Sequence, residues 1–128
     1  MSTLEHAVAY ALQHPDDSRA IDKAYLEFIK ANFMIPIHAH SAEDAPEVLY
    51  LEENGIQYLP AFTNTDTLDV WAKDIAKQIK ILRLTGVNLL KGVGEHVAVC
   101  LNLGDSASKI FHPEEIARMK SLIIKFWK

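Results

Sequence analysis

Apolar positions recur along the chain at two periods, and the switches between them mark out its elements. Leu4, Val8 and Leu12 return every fourth residue behind Ser2 and Glu5, a capping-box pair. This predicts a first helix reaching His14, stopped near Pro15. A second helix is predicted from Asp17 or Ser18, with Ile21, Tyr25, Phe28 and Ile29 on one face and Leu26 at its edge. "FMIPIHAH" then suits a short strand, and Pro36 inside it predicts an edge strand or a bulge.

The clearest signal is "EVLYLEENGIQYLPAF", two apolar runs around Asn54-Gly55, a pair that accepts positive φ in a two-residue hairpin turn. In that register Leu51 faces Tyr58 and Tyr50 faces Leu59, so both faces are apolar and the hairpin is expected to be covered on both sides. From Leu68 the period becomes helical. Leu68, Trp71, Ala72, Ile75 and Ile79 form one stripe, with Lys73, Lys77 and Lys80 opposite and Thr65 or Asp66 as N-cap. "IKILRL" reads as a strand, "TGVNLLKGVG" as a short helix or turn, "HVAVCLNLG" as a strand and "SKIF" as another. "HPEEIARMKSLIIKFWK" reads as a closing helix with Pro113 in its first position.

Helices at both ends of a hairpin-bearing sheet predict an α+β domain. The sheet is mixed and largely antiparallel, flanked by N-terminal helices, a middle helix and a C-terminal helix. A chain of 128 residues suits one domain over 1–128, and 49% hydrophobic residues with five Gly and five Pro exclude a disordered chain. The N-terminus is not built as a signal peptide, no apolar run approaches the roughly 20 residues of a membrane span, and Cys100 is a lone cysteine. The expectation is a cytoplasmic protein. Charge is uneven: residues 1–70 carry twelve acids and three bases (−9), residues 71–128 five acids and ten bases (+5). Such polarity can steer a partner, or interleave on one folded surface.

Candidate chemistry is sparse. Cys100 lies in an apolar strand, where burial raises a thiol pKa, the reverse of what a nucleophile needs. His38 and His40 share a strand face with Glu43 or Asp44 nearby, but two imidazoles fall short of a four-ligand zinc site. "GVGE" at 92–95 precedes a strand, whereas a dinucleotide fingerprint follows one. Lys73, Lys77, Lys80 and Arg83 lack the aromatic platform and basic balance of a nucleic-acid reader. The pairs Asp16-Asp17, Glu52-Glu53 and Glu114-Glu115 fall at turns and helix starts, where carboxylates cap or stay solvated. No metal or cofactor is expected. The threonines of "FTNTDT" have no adjacent base and read as capping residues.

The order and spacing of Ile35-Pro36, "LPAFTNTDTLDVW" at 59–71, "LNLG" at 101–104 and "HPEEIARM" at 112–119 resemble the N-terminal domain of the SseB family, named for enhanced serine sensitivity. Leu103 stands where that family commonly has proline, and His112 where it has serine. Many members carry a second, C-terminal domain. The resemblance implies the same α+β fold and brings no settled activity, catalytic residue or cofactor. Its matching positions, Pro60, Phe62, Thr63, Trp71, Asn102 and Gly104, are read as core and turn residues.

The closing helix is broad in its apolar arc. Ile116, Met119, Ile123, Phe126 and Trp127 form a stripe that Leu122 and Ile124 widen to about 200°, against the ~100° usual for a surface helix, so the helix either lies in a deep groove of its own domain or offers an interface. The expected function is therefore a non-enzymatic interaction or regulatory domain, an adaptor or inhibitor. It would contact a protein partner or a second copy, not nucleic acid or membrane, through Leu122, Ile124, Trp127, Lys73 and Lys77. The alternative is a small ligand-binding domain or enzyme with a pocket near the Phe62–Thr63 turn, assisted by Cys100 or His96.

Overall fold

The structure, a computed structural model, describes residues 3–105 and 108–126. Two antiparallel helices open the chain, α1 (Thr3–Gln13) and α2 (Ser18–Lys30). Asp17 caps α2 by accepting the amides of Arg19 and Ala20, which fills orphan donors of the first turn. The capping box read at α1 has its Ser2 outside the described residues, and Glu5 serves elsewhere, as shown below.

The strands are β1 (Asn32–His38), β2 (Leu51–Glu53), β3 (Ile56–Ala61), β4 (Ile79–Thr85), β5 (Val97–Leu101) and β6 (Lys109–Phe111). They are joined by helices α3 (Thr65–Trp71) and α4 (Gly86–Gly92) and closed by α5 (Pro113–Phe126). One sheet has the order β2-β3-β5-β6, with β3 and β5 parallel and the rest antiparallel; β1 and β4 form an antiparallel pair. The fold is α+β, as the pattern implies.

β1 is not the edge strand its proline suggests. Phe33, Ile35 and Ile37 face Leu84, Leu82 and Lys80 of β4. On the other side Met34 exchanges both backbone hydrogen bonds with Phe62, and the His38 amide donates to the Glu47 carbonyl. Pro36 falls between those two on the same side, where its carbonyl accepts from the Leu49 amide and no N–H is needed. The strand ends at His38, so His40 lies in the turn beyond it.

The Asn54-Gly55 turn forms with positive φ at both residues, 54° and 79°, and Leu51 pairs with Tyr58 as the register requires. Cover on both faces does not follow. Leu59 to Ala61 are buried, but Ile56 and Tyr50 are exposed, so the tip stands in solvent and the ladder stops short of Tyr50.

The middle stripe also breaks. α3 ends at Trp71, a 3-10 turn covers Ala76–Gln78, and Ile79 opens β4. Lys73, Lys77 and Lys80 therefore share no helix face. The stripe residues meet all the same: Leu68 and Ala72, with Met34 and Phe62, form a small buried cluster roofed by Trp71, Ile75, Ile79 and Leu103. A larger cluster fills the space between α1, α2, α4, α5 and the sheet, with Phe28, Phe33, Phe111, Leu90 and Met119 fully covered.

Gly86 fixes how α4 enters that core. A Cβ at Gly86 would stand 2.0 Å from the Phe28 carbonyl oxygen and 2.6 Å from that of Ile29. Both are main-chain atoms of α2 that cannot swing aside, and the Gly86 amide donates to the Ala31 carbonyl. Gly86→Ala is expected to cost about 3 kcal/mol or more, or to prevent folding. Urea unfolding followed by circular dichroism measures it, and a change under about 1 kcal/mol would contradict the close approach.

Candidate functional site

Two of the quoted sequence stretches, 59–71 and 101–104, lie far apart in the chain and meet at the ends of the parallel strands β3 and β5. β5 runs out at Leu101, and Asn102 turns the chain with φ of 50°, a left-handed conformation asparagine tolerates better than most side chains. Asn102 is wholly buried. Its Oδ1 accepts the Thr63 amide at 2.9 Å, its Nδ2 donates to Thr63 Oγ1 at 2.9 Å, and its own amide donates to the Ala61 carbonyl at 2.8 Å. The Asn102 side chain is thus satisfied across the sheet, while the turn itself also closes locally, the Asp105 amide donating to the Asn102 carbonyl at 2.9 Å.

The hydroxyl cluster continues this junction. Thr63 Oγ1 donates to Glu5 Oε1 at 2.6 Å, and Asn64 Nδ2 reaches the same oxygen at 3.4 Å. Glu5, 5% exposed, so ties α1 to the β3–α3 turn. The N-cap of α3 is Asn64, whose Oδ1 accepts the Thr67 amide, in place of the expected Thr65 or Asp66. Thr67 Oγ1 donates to Asp105 Oδ2 at 3.2 Å. Capping by threonine was the wrong detail. The polar atoms nevertheless serve structure.

Above this junction lies an open hollow of about 270 Å³ lined by Asp66, Thr67, Val70, Trp71, Leu103 and Gly104. Val70 is 77% exposed and Trp71 and Leu103 are half-buried, so the floor is apolar. The Trp71 ring leans on Phe62 with centroids 5.4 Å apart. Pro60 and Phe62 are buried beneath, and Gly104 turns with φ of 95°. Lys73 and Lys77 are exposed on the connection that follows Trp71.

The other predicted residues are dispersed. Leu122 is half-buried against the large cluster, so it completes the core on that flank, while Ile124 remains 65% exposed. Trp127 lies outside the described residues. Leu122 packs on the large cluster, whereas Lys73 and Lys77 lie on the connection that follows α3, the helix of the small one. Cys100 is buried in β5, and burial raises its thiol pKa. His96 is exposed just before β5 begins, a strand length from Asn102 at the opposite end. The His38 and His40 rings stand 5.3 Å apart, and His40 pairs with Glu47 at 2.9 Å, not with Glu43 or Asp44. Among the described residues no group of three or more His, Cys, Asp or Glu is placed to hold a metal ion.

Sequence reasoning missed a second polar junction. Glu115, read as a capping carboxylate, does accept the His112 amide at 3.0 Å. It also accepts the Tyr25 hydroxyl at 3.0 Å and pairs with Lys109 at 3.1 Å, fastening α5 and β6 to α2. A groove of about 300 Å³ opens beside it, walled by Leu12, Pro15 and Ile21 and edged by Arg118. A lone tyrosine on an apolar helix face gives no sign of so distant a partner.

The fold and these junctions define a small α+β domain whose buried polar groups bond to one another across long sequence separations. The family described as SseB protein N-terminal domain matches residues 4–118, and the chain belongs to that family. No curated protein matches the chain. No helix among the described residues is long and apolar enough to cross a membrane.

Two outcomes follow from the junctions. Asn102→Ala removes two side-chain hydrogen bonds, strands the Thr63 amide and leaves alanine at positive φ. A loss of about 2–4 kcal/mol is expected in urea unfolding, with partial relief in Asn102→Gly. A loss under about 0.5 kcal/mol would show the junction to be dispensable. Burial, and then the Glu115 carboxylate, push the Tyr25 pKa from 10.0 up to about 12. A raised value means that this stabilisation is whole below pH 10 and fades between 10 and 12. Absorbance titration of the phenolates is expected to show one late-ionising tyrosine, absent from Tyr25→Phe.

Proposed function

We propose that this SseB-family domain works by protein contact, as an adaptor or inhibitor of a partner, and not by chemistry on a small substrate. One observation carries the reading. The small apolar cluster is thinly roofed: four buried residues are covered by half-buried Trp71, Ile75, Ile79 and Leu103, with Val70 open to water beside them. An apolar floor on a rigid support is what a partner's side chain can bury with little ordering cost. The support is rigid because the Asn102–Thr63 junction fixes both segments that bear it.

The predicted contacts Lys73 and Lys77, exposed on the connection that follows Trp71, would supply charge to such a contact. Ile124, exposed on α5, is a separate contact point, for a second copy or for the same partner. A ligand pocket at the Phe62–Thr63 turn is less well supported. Phe62 is buried, and Thr63 already uses both its amide and its hydroxyl. Cys100 is buried with a raised pKa.

Val70→Glu tests the shelf, since a residue so exposed can change with under about 0.5 kcal/mol effect on stability. Tagged wild-type and Val70→Glu proteins are compared for partners recovered from extract of the source cells and for mass by light scattering. The expected result is a partner, or a dimer, held by the wild type and lost with Val70→Glu at unchanged melting temperature. Equal recovery by both, with Ile124→Asp also silent, would overturn the reading.

A further inference from the structure

β4 is a seven-residue strand that, among the described residues, pairs with β1 alone. The phase of that ladder is fixed by β1. Met34 gives its amide and carbonyl to Phe62, and His38 its amide to Glu47, so the even residues of β1 face away from β4. Phe33, Ile35 and Ile37 face toward it, opposite Leu84, Leu82 and Lys80. In an antiparallel ladder the alternate residues turn their backbone groups outward. On β4 these are Ile79, Ile81 and Arg83. Their N–H and C=O groups line an open edge, and the side chains of Ile81 (38% exposed) and Arg83 stand in solvent beside it.

Natural sheets blunt such edges with short strands, bulges, prolines or charges. β2 and β6 are three residues each, but β4 is long and regular and carries charge alone. The sign of that charge is uniform. From Ile75 to Gly94 the chain has Lys77, Lys80, Arg83 and Lys91 and not one acid. Lys80 is held by the Ser41 carbonyl at 3.1 Å, whereas Lys77 and Arg83 enter none of the ion pairs among the described residues. A second copy is a poor occupant, because pairing β4 with itself brings together two strands whose only charges are positive. A strand of opposite charge has no such penalty.

We propose that β4 accepts an extended acidic segment of a partner protein, which adds as a further strand beside Ile79, Ile81 and Arg83. Backbone bonds supply the attachment, as in other β-strand additions, and side chains supply selection. An acid on the added strand meets Arg83, an apolar residue covers Ile81, and a second acid lies toward Lys77. The edge shares Ile79 with the roof of the small cluster, but Val70 lies on α3 and not on β4, so Val70→Glu is expected to leave the edge intact.

The test uses a fluorescein-labelled nonapeptide, threonine-glutamate-threonine-valine-threonine-valine-threonine-glutamate-threonine, which sets glutamate, valine, valine and glutamate in turn on one face, its lysine-for-glutamate counterpart, and a version N-methylated along one edge. The wild type is expected to bind the acidic peptide saturably, with Kd in the range of about 10–100 μM at low salt. Binding should slow amide exchange at Ile81 and Arg83 by tenfold or more. Arg83→Glu is expected to weaken binding about tenfold. Ile81→Pro deletes an outward N–H without breaking the β1 ladder, and should abolish binding while the fold persists. Should that variant unfold, the N-methylated peptide carries the same test and is expected not to bind. No binding by millimolar peptide would overturn the proposal. So would binding indifferent to Ile81→Pro and to N-methylation, which would be charge attraction alone. Self-association by light scattering, abolished in Ile81→Pro, would give the edge to a second copy and equally overturn it.

Discussion

A strand with a proline near its middle holds this molecule together. β1 is hydrogen-bonded along one side to β4 and along the other to the base of the β2–β3 hairpin. A buried strand must satisfy nearly every amide and carbonyl it carries, and Pro36 has one amide fewer to satisfy. It occupies the position where only its carbonyl is called on, by Leu49. The faces of β1 are divided as its edges are. Phe33 and Ile35 enter the large cluster and Met34 the small one. No other element described here is built into both apolar clusters and both hydrogen-bonded sheets, so β1 sets the spacing of everything packed on it.

The second constraint is the meeting of the β3 and β5 ends. Parallel strands cannot be joined by a tight turn, and their ends would splay without a cross-link. Asn102 provides one through both ends of its amide, and Glu5 extends it to the first helix. A buried polar network rigidifies a fold when each member is satisfied and weakens it otherwise. Among the described residues no buried side-chain nitrogen or oxygen lacks a partner. The Thr63 and Thr67 hydroxyls and the Asn64 side-chain amide are thereby committed, and the apolar exposed character of the region comes from Val70, Trp71 and Leu103.

What could be read from sequence alone divides along the same line. The hairpin was legible because Asn54-Gly55 states its own turn geometry, and α2 because its apolar face repeats over thirteen residues behind an aspartate cap. α3 was overextended because Leu68, Trp71, Ala72, Ile75 and Ile79 keep a helical period across a helix, a 3-10 turn and the first residue of a strand. They share a cluster, not a helix, and periodicity cannot separate those cases. The roles of Glu5 and Glu115 were illegible because their partners lie 58 and 90 residues away. Leu122 appeared spare on a helical wheel, which shows the width of a face but not the depth of the groove that receives it.

The uneven charge of the two sequence halves takes on a spatial meaning once β1 and β4 are paired. The acidic half contributes β1 and the hairpin, the basic half contributes β4, and the ladder between them interleaves the two. β1 itself carries no acid, so the ladder sets none against Lys80 or Arg83, and the Lys23–Glu27, Lys30–Glu27 and Lys109–Glu115 pairs each join residues of one sequence half. The outer edge of β4 likewise has no described strand beyond it to bring acids alongside. Ile79 belongs both to that edge and to the roof of the small cluster that bears Trp71 and Leu103. A core of four buried residues is thin, and thin cover is where local opening costs least. Any strand or side chain laid against this side of the molecule adds apolar contact where the domain has least of its own. A strand paired with β4 would therefore also cover Ile79 at the rim of that roof.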